Sequence, residues 1–454
     1  MSKLVDRVTS VFSRVRPGEG LPVVILLVDL FLILMAYYLL KVAREPLILV
    51  GGGGAEVKSY ASGGMALILI VLVPAYGLIA SRVKRMTLVN GVTALFAASF
   101  VVFWILYQAR IPVGVPFYLW LGIFNMMVIA QFWSLANELF SEEQGKRLFP
   151  VIAIGGTIGA IAGSYSAGRM SAALGPGPLI PIAAGLLFAS IALTLIGTRA
   201  ARAIPRTEED AHEIDDTPLS KEGGFKLVLT VKYLRMIAIM IVVYNIVNTM
   251  GEYILGSAVE QAAKLEAAGN EKVAEKIIGA FYGDFFTWVN IVAAVLQMFI
   301  VSRVVQFIGV RAALLILPAI ALGGYGLIAT VPIIAWMKVA KITENGVDYS
   351  LHNTVRQMLW LPTTREAKYK AKAAVDTFFV RFGDVLAAGL VWIGTTSLAL
   401  SPRLFASVNV VMAAVWMLLA FLVGREYMRC KRQPTTAPAT GGKPVRGKLG
   451  HAGA

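Results

Sequence analysis

The 454-residue chain holds a single cysteine, Cys430. One thiol excludes an intramolecular disulfide and any cysteine metal cluster. Histidine is almost as rare. His212, His352 and His451 lie far apart and form no metal-ligand pair, so no metal is expected. Charge is scarce as well: Asp, Glu, Lys and Arg make up 15% of the residues, against about 25% in an ordinary soluble protein. No G-x-x-x-x-G-K-[ST] loop occurs, which excludes a P-loop pump. No nucleophile–base pair is visible, so neither an enzyme nor a bound cofactor is expected.

What is abundant is apolar. The chain is 57% hydrophobic, with a mean hydropathy of +0.71. Apolar runs of about twenty residues recur from end to end, the pattern of a polytopic helical membrane protein embedded in a lipid bilayer. Twelve spans are read at 21–43, 63–80, 88–108, 115–139, 149–172, 179–198, 233–255, 279–301, 312–330, 332–359, 373–396 and 404–424. The net charge of +15 suggests nucleic acid in a soluble protein. Here the basic residues fall in alternate loops, so the positive-inside rule explains them, nucleic acid is not expected, and both termini are placed in the cytoplasm. The segment 257–277, mixed in Lys and Glu, reads as a short surface helix, and the glycines 51–54 as a flexible connector. The stretch before the first span lacks a small-residue cleavage site and is not read as a signal peptide.

These spans divide into a cytoplasmic N-terminal arm (1–20), a six-helix half (21–198), a basic cytoplasmic linker (199–232), a second six-helix half (233–424) and a basic, disordered tail (425–454). Weak internal matches support a duplication. Aligning Tyr37 with Tyr244 puts Glu45 on Glu252, and aligning Ser134 with Ser350 puts Asn137 on Asn353. Two six-span halves related by an axis along the membrane normal make a major-facilitator-like, all-α membrane fold. In that fold the first and fourth helices of each half line a central cavity.

An ionisable residue inside a span costs at least about 2.5–3.5 kcal/mol and faces a bundle interior or watery cavity. Span one ends in "YYLLKVAREPLIL", with Lys41, Arg44 and Glu45. Arg44 and Glu45 are adjacent, point about 100° apart on a helix and need different partners. Span ten carries Lys338, Lys341, Glu344, Asp348, His352, Asn353 and Arg356. Lys341, Asp348, His352 and Arg356 fall on one face at helical spacing. Span eleven adds Asp376, Arg381 and Asp384, and Asp29 lies early in span one. Each has a plainer reading, as a helix-end residue or a helix-locking pair. Together the cations Lys41, Arg44, Lys338, Lys341, Arg356 and Arg381 are matched to a polyanion such as a phosphate chain. Gly155, Gly159 and Gly163, four apart, read as a close helix-packing face.

These motifs resemble the nucleotide transporter family, the ATP/ADP translocases of plastids and obligate intracellular bacteria. "LLKVAREPLIL" is similar to that family's L-R-[DN]-x-K-D-x-L-V pattern. "FWSLANELFSEEQGKRLFP" is similar to F-W-x-x-A-N…A-K-R-F-Y-P, and "KYKAKAAVD" to K-x-K-G-K-A-A-x-D. The resemblance implies exchange of ATP for ADP by alternating access in a bacterial inner (plasma) membrane, with nucleotides as partners. It carries Arg44, Glu252 and Lys372 onto charged positions that matter for transport in the family. There are departures. Leu121 stands where the family has a glutamate, Asn353-Thr354 replaces an aspartate–proline pair, and Arg356-Gln357 a lysine–glutamate pair. Two other readings stay open: a proton-coupled carrier of another anionic solute on the same scaffold, and a membrane anchor or assembly partner that transports nothing.

Overall fold

The computed structural model describes residue 16 and residues 18–80, 82–203, 224–364 and 366–432. Most of the N-terminal arm, the middle of the linker and the tail from 433 onward lie outside the described residues. Thirteen helices run in order: α1 Gly20–Leu49, α2 Gly54–Ala80, α3 Arg85–Gln108, α4 Gly114–Leu139, α5 Glu142–Leu174, α6 Leu179–Arg202 and the short α7 Gly224–Thr230. Next come α8 Lys232–Glu266, α9 Glu271–Ala313, α10 Ile316–Thr330, α11 Ile334–Val347, α12 Lys372–Ser397 and α13 Pro402–Arg432. Past Val347, α11 continues through a π turn, Asp348–His352, into Asn353–Met358. Among the described residues, nine helices are long and apolar enough to cross a bilayer.

Local chemistry sets several helix ends. The Ser141 hydroxyl accepts from the Gln144 backbone N–H, and the Gln144 side chain accepts from the Ser141 N–H, a capping box that starts α5. The Asn270 side chain caps α9 through the Val273 N–H. The segment 257–277 is not a separate surface helix. Its first part extends α8 to Glu266, a turn follows, and its last residues open α9. The mixed Lys/Glu pattern reports the ends of two long helices that emerge together. The glycines 51–54 are more than a connector: Gly53 and Gly54 have φ of 100° and 85°, and Gly54 begins α2.

As sets, α1–α6 pack mainly among themselves and so do α8–α13, except that α2 lies mostly against α12 and α8. The tightest approach in the first group is α1 on α5. A Cβ on Gly155 would sit 2.1 Å from the Leu27 carbonyl oxygen, on Gly159 2.3 Å from that of Phe31, and on Gly163 2.7 Å from that of Met35. Close backbone packing through small residues is what holds helices together in lipid, where hydrophobic burial gives no drive. Asp29, with no exposed surface, accepts from Ser190 at 2.5 Å and Thr194 at 2.6 Å, which ties α1 to α6. At the start of α1, Glu19 accepts two bonds of 3.1 Å from Arg147 of α5.

The two groups meet mostly at one end, where α1 gives way to α2. There α5 crosses α9, α2 meets α8 and α12, and the Ala55 N–H donates to Glu260 at 2.8 Å. Gly168 of α5 and Gly283 of α9 touch backbone to backbone. Toward the start of α5 the groups part, leaving a cleft of about 340 Å³ bordered by Gly156 and Thr157 on one side and Ala293 and Gln297 on the other.

Two glycines give opposed predictions. Gly159→Ala puts a methyl into the α1 backbone and should destabilise the protein by about 1–3 kcal/mol. Gly185→Ala adds a methyl to open space in α6 and should stabilise by up to about 1 kcal/mol. Thermal unfolding in detergent reads both, and equal shifts would contradict the packing account.

Candidate functional site

The end of α1 is built on one helical face. Tyr37, Lys41 and Arg44 follow at i, i+4 and i+7 and all line a cavity of about 320 Å³ between the two helix groups. Glu45, one residue on, turns away and has no exposed surface. The expectation that Arg44 and Glu45 need different partners fails. Arg44 Nε donates to Glu45 Oε1 at 3.1 Å, and its terminal Nη2 bonds the same oxygen. The arginine stem is long enough to wrap round the 100° offset. Its guanidinium also lies 4.6 Å from the centre of the Tyr118 ring.

From Glu45 a chain of charges runs across the molecule. Lys58 of α2 donates to Glu45 Oε2 at 2.5 Å and reaches Glu252 of α8 at 3.9 Å. Glu252 meets Lys341 of α11 at 3.6 Å and accepts from Asn345 at 3.3 Å. Lys341 pairs in turn with Glu344 at 3.2 Å, and Glu344 accepts from the Tyr325 hydroxyl at 2.8 Å. On the far wall Arg381 donates to Asp384 at 3.0 Å, while Thr249 donates to the other Asp384 oxygen at 2.9 Å and so binds α12 to α8. Cations and carboxylates alternate, which is how buried charge is tolerated in a medium of low dielectric.

Lys41 is the exception. Among the described residues no carboxylate lies within ion-pair distance of it, although it is only 8% exposed. Its ammonium instead sits 4.2 Å from the Phe286 ring centre, 5.1 Å from Tyr38, 5.7 Å from Tyr37 and 5.8 Å from Tyr349. Aromatic faces stabilise a cation but do not neutralise it.

Of the residues singled out from the sequence, Lys41, Arg44, Glu252, Asp348, Arg381 and Asp384 line the cavity. Glu45 and Lys341 lie just behind the wall as buried partners of lining groups. Lys338 leaves the site and pairs with Asp284. Lys372 pairs with Asp376 at 3.8 Å along its own helix, and Asn137 and Asn353 are exposed elsewhere. The proposed polar face of span ten does not stay whole. The π turn at Asp348–His352 inserts an extra residue into the helical count and rotates the residues beyond it. Asp348 therefore reaches the cavity and accepts from Tyr244 at 2.8 Å, whereas His352 is buried between Tyr244 and Trp416, with ring centres 5.1 and 5.7 Å away. Arg356 is not among the lining residues.

Sequence reading missed Lys58, Asn245, Asn248, Thr249, Tyr118 and Tyr349, all of which line the cavity. Lys58 escaped because span two was begun at 63, where its apolar run begins. Helix α2 starts nine residues earlier, at Gly54, and its first turns are polar because they face the cavity. The signal was present in "GAEVKSYASGG", a polar stretch free of proline. For Asn245, Asn248 and Thr249 the signal was their spacing with Glu252, at i, i+3, i+4 and i+7 on one face of α8.

The fold is that of a membrane transporter. The structure superposes on a bacterial homologue of the iron transporter ferroportin in an inward-facing state with a TM-score of 0.60, at 12% identity over 89% of this chain and 98% of that one. It superposes on the nucleoside transporter NupG with a TM-score of 0.56, at 13% identity over 90% of this chain and 99% of that one. Residues 182–328 and 321–427, more than half of the sequence, match the TLC ATP/ADP transporter model, and the chain belongs to that family. It is an integral, multi-pass membrane protein. It is 21% identical to ADP,ATP carrier protein 1 of Chlamydia pneumoniae, covering 67% of this chain and 65% of the relative. It is 25% identical to ADP,ATP carrier protein 3 of Rickettsia conorii, over 60% of each. Against the chloroplastic ADP,ATP carrier protein 1 of Arabidopsis thaliana the identity is 22%, over 65% of this chain and 51% of the relative. The chain thus spans less than two thirds of the length of these relatives.

The buried cluster makes a stability prediction. Arg44→Ala strips Glu45 of one of its two cations and should destabilise the protein at the lower end of the about 3–5 kcal/mol expected for a broken buried pair. Arg44→Ala combined with Glu45→Gln should cost less than the two single losses added, because the second change removes the carboxylate that the first leaves short of a cation. A double variant as unstable as the sum of the singles would mean that the two residues do not interact.

Proposed function

We propose that the protein is a nucleotide carrier that exchanges ATP for ADP by alternating access, without chemical conversion of either. The observation that carries the reading is Lys41: a nearly buried ammonium, free of any carboxylate among the described residues, facing a cavity that aromatic rings surround. A phosphate group supplies the missing charge, and Arg44 beside it offers a guanidinium. The rings of Tyr37, Tyr118, Phe286 and Tyr349 offer faces on which a base can stack. The ADP,ATP carrier names of the relatives agree with this reading.

In this reading the molecule consists of twelve membrane-spanning helices in two six-helix halves, 21–198 and 233–424, joined by the linker 199–232 and followed by the tail 425–454, whose first residues, 425–432, continue α13 as helix rather than disordered chain, with the short α7 outside the count. It sits in a bacterial inner membrane with both termini in the cytoplasm. The closed end, where α1 meets α2, then faces outward, and the cleft between α5 and α9 opens inward. Glu45 and Glu252 are equivalent positions of the two halves. Lys41, Arg44, Glu252, Asp348 and Arg381 contact the substrate, and Glu45 and Lys341 hold those contacts in place. Lys338, His352, Asn353, Arg356, Lys372 and Asn137 act farther from the cavity.

One observation favours a second reading, a proton-coupled carrier of a less charged anion. Glu45, Glu252, Glu344, Asp348 and Asp384 match the cations Arg44, Lys58, Lys341 and Arg381 closely enough to leave little surplus positive charge for a triphosphate.

Counter-exchange in proteoliposomes decides between them. Vesicles loaded with ADP should take up labelled ATP, and empty vesicles should not. Exchange of nucleotides that differ by one charge should respond to the membrane potential by about 2.3 kcal/mol per 100 mV. Lys41→Ala should weaken ATP binding at least tenfold and leave adenosine binding unchanged. Uptake driven by a proton gradient and indifferent to internal ADP would favour the second reading.

A further inference from the structure

Lys58 is the cation that both helix groups share. It belongs to α2, and its ammonium lies 2.5 Å from Glu45 of α1 and 3.9 Å from Glu252 of α8. Tyr282 of α9 faces it at 5.2 Å. The two carboxylates differ in one respect. Glu45 has no exposed surface, whereas the Glu252 side chain is 27% exposed to the cavity. An anion in the cavity therefore meets Lys58 from the Glu252 side and cannot reach Glu45. Glu252 also has a second set of partners, Lys341 at 3.6 Å and Asn345 at 3.3 Å, both on α11 in its own group. It can release Lys58 without being left as a bare buried charge, which would be expensive.

We propose that Lys58 is a latch between the two helix groups, opened when an anion in the cavity takes the place of Glu252 at its ammonium. With the cavity empty, the Lys58–Glu252 pair crosses from one group to the other and holds their shared end closed. With a phosphate at Lys58, each carboxylate is neutralised within its own group: Glu45 by Arg44 and Lys58, Glu252 by Lys341. The one ion pair through Lys58 that crosses the seam is then gone, which leaves the Ala55–Glu260 hydrogen bond and apolar packing to hold the closed end, and the end parts more readily. Movement away from this state is thereby tied to an occupied cavity. A purely structural ion pair would make no such link. The anion arm of the proposal rests on the carrier reading given above, while the latch itself needs only the geometry.

The seam carries its own reporter position. Ala55 of α2 has its Cβ 3.5 Å from where a Cβ on Gly256 of α8 would lie, within reach of a disulfide. The test is the rate of disulfide formation in Ala55→Cys/Gly256→Cys/Cys430→Ser protein in nanodiscs under mild oxidation. The parent should cross-link readily. Lys58→Gln and Glu252→Gln should each slow cross-linking several-fold, and the two together no more than either alone. ATP and inorganic pyrophosphate should slow the parent and leave Lys58→Gln unaffected. Should Lys58→Gln fold poorly, Glu252→Gln decides, because it leaves both Glu45–Lys58 and Lys341–Glu344 intact. Parent-like rates in well-folded single variants would overturn the latch. Slowing by the variants with no response to either anion would overturn release by an anion. A response to pyrophosphate but not to ATP would uphold the latch and count against nucleotides as the substrate.

Discussion

Glu45 is a carboxylate with no exposed atom, inside a helix that lipid and protein enclose. Ionised, it must have cations, and the surrounding helices are arranged to bring them. Arg44 comes from the same turn of α1 and Lys58 from the first turns of α2. Lys58 then draws in Glu252, and Glu252 draws in Lys341, so one buried charge organises contacts through α1, α2, α8 and α11. The polar wall of the cavity is the exposed edge of this buried arrangement. Lys41 stands apart because aromatic rings replace the carboxylates that every other cation of the wall possesses.

Much of this was legible in the sequence, for reasons that differ between residues. The charges of α1 stood out because each interrupts a long apolar run, where a charge is costly enough to demand a function or a partner. The packing glycines of α5 were readable because spacing by four defines one helix face, and α1 lies on that face. The family was readable because several motifs survive in order. Lys58 was hidden for the opposite reason. The start of α2 mixes polar, small and apolar residues with no long apolar run, so no contrast marked it off from a loop. The π turn in α11 has no marker residue of its own, and a single added residue moved His352 from the expected polar stripe into an aromatic nest. Partners distant in the chain, such as Ser190 and Thr194 for Asp29, emerge only from the way helices assemble.

The departures from the family pattern take on a definite location in the structure. Leu121 is fully buried among apolar neighbours, and Asn353 and Gln357 lie on exposed positions past the π turn. None of the three lines the cavity. The departures from the resembled pattern therefore lie outside the cavity wall, which carries lysine, arginine and glutamate from the two helix groups. A sequence comparison weights these positions equally; the geometry does not.

The contact between Gly168 and Gly283 has a mechanical consequence. No side chain stands between α5 and α9 there, so their backbones bear directly on one another. Flanking it are small groups, Thr287 donating to Ser164 at 3.2 Å and Ser171 packed over Gly279, so little has to unlock when the helices tilt about this point. The arms are unequal: α5 ends at Leu174, six residues past Gly168, but runs back from it to Glu142, and α9 runs on from Gly283 to Ala313. A tilt of about 10° at the joint, carried along some 25 Å of the longer arm, displaces its far end by about 4 Å. A lever with a bare bearing lets a modest tilt at one end of the bundle become a gap at the other.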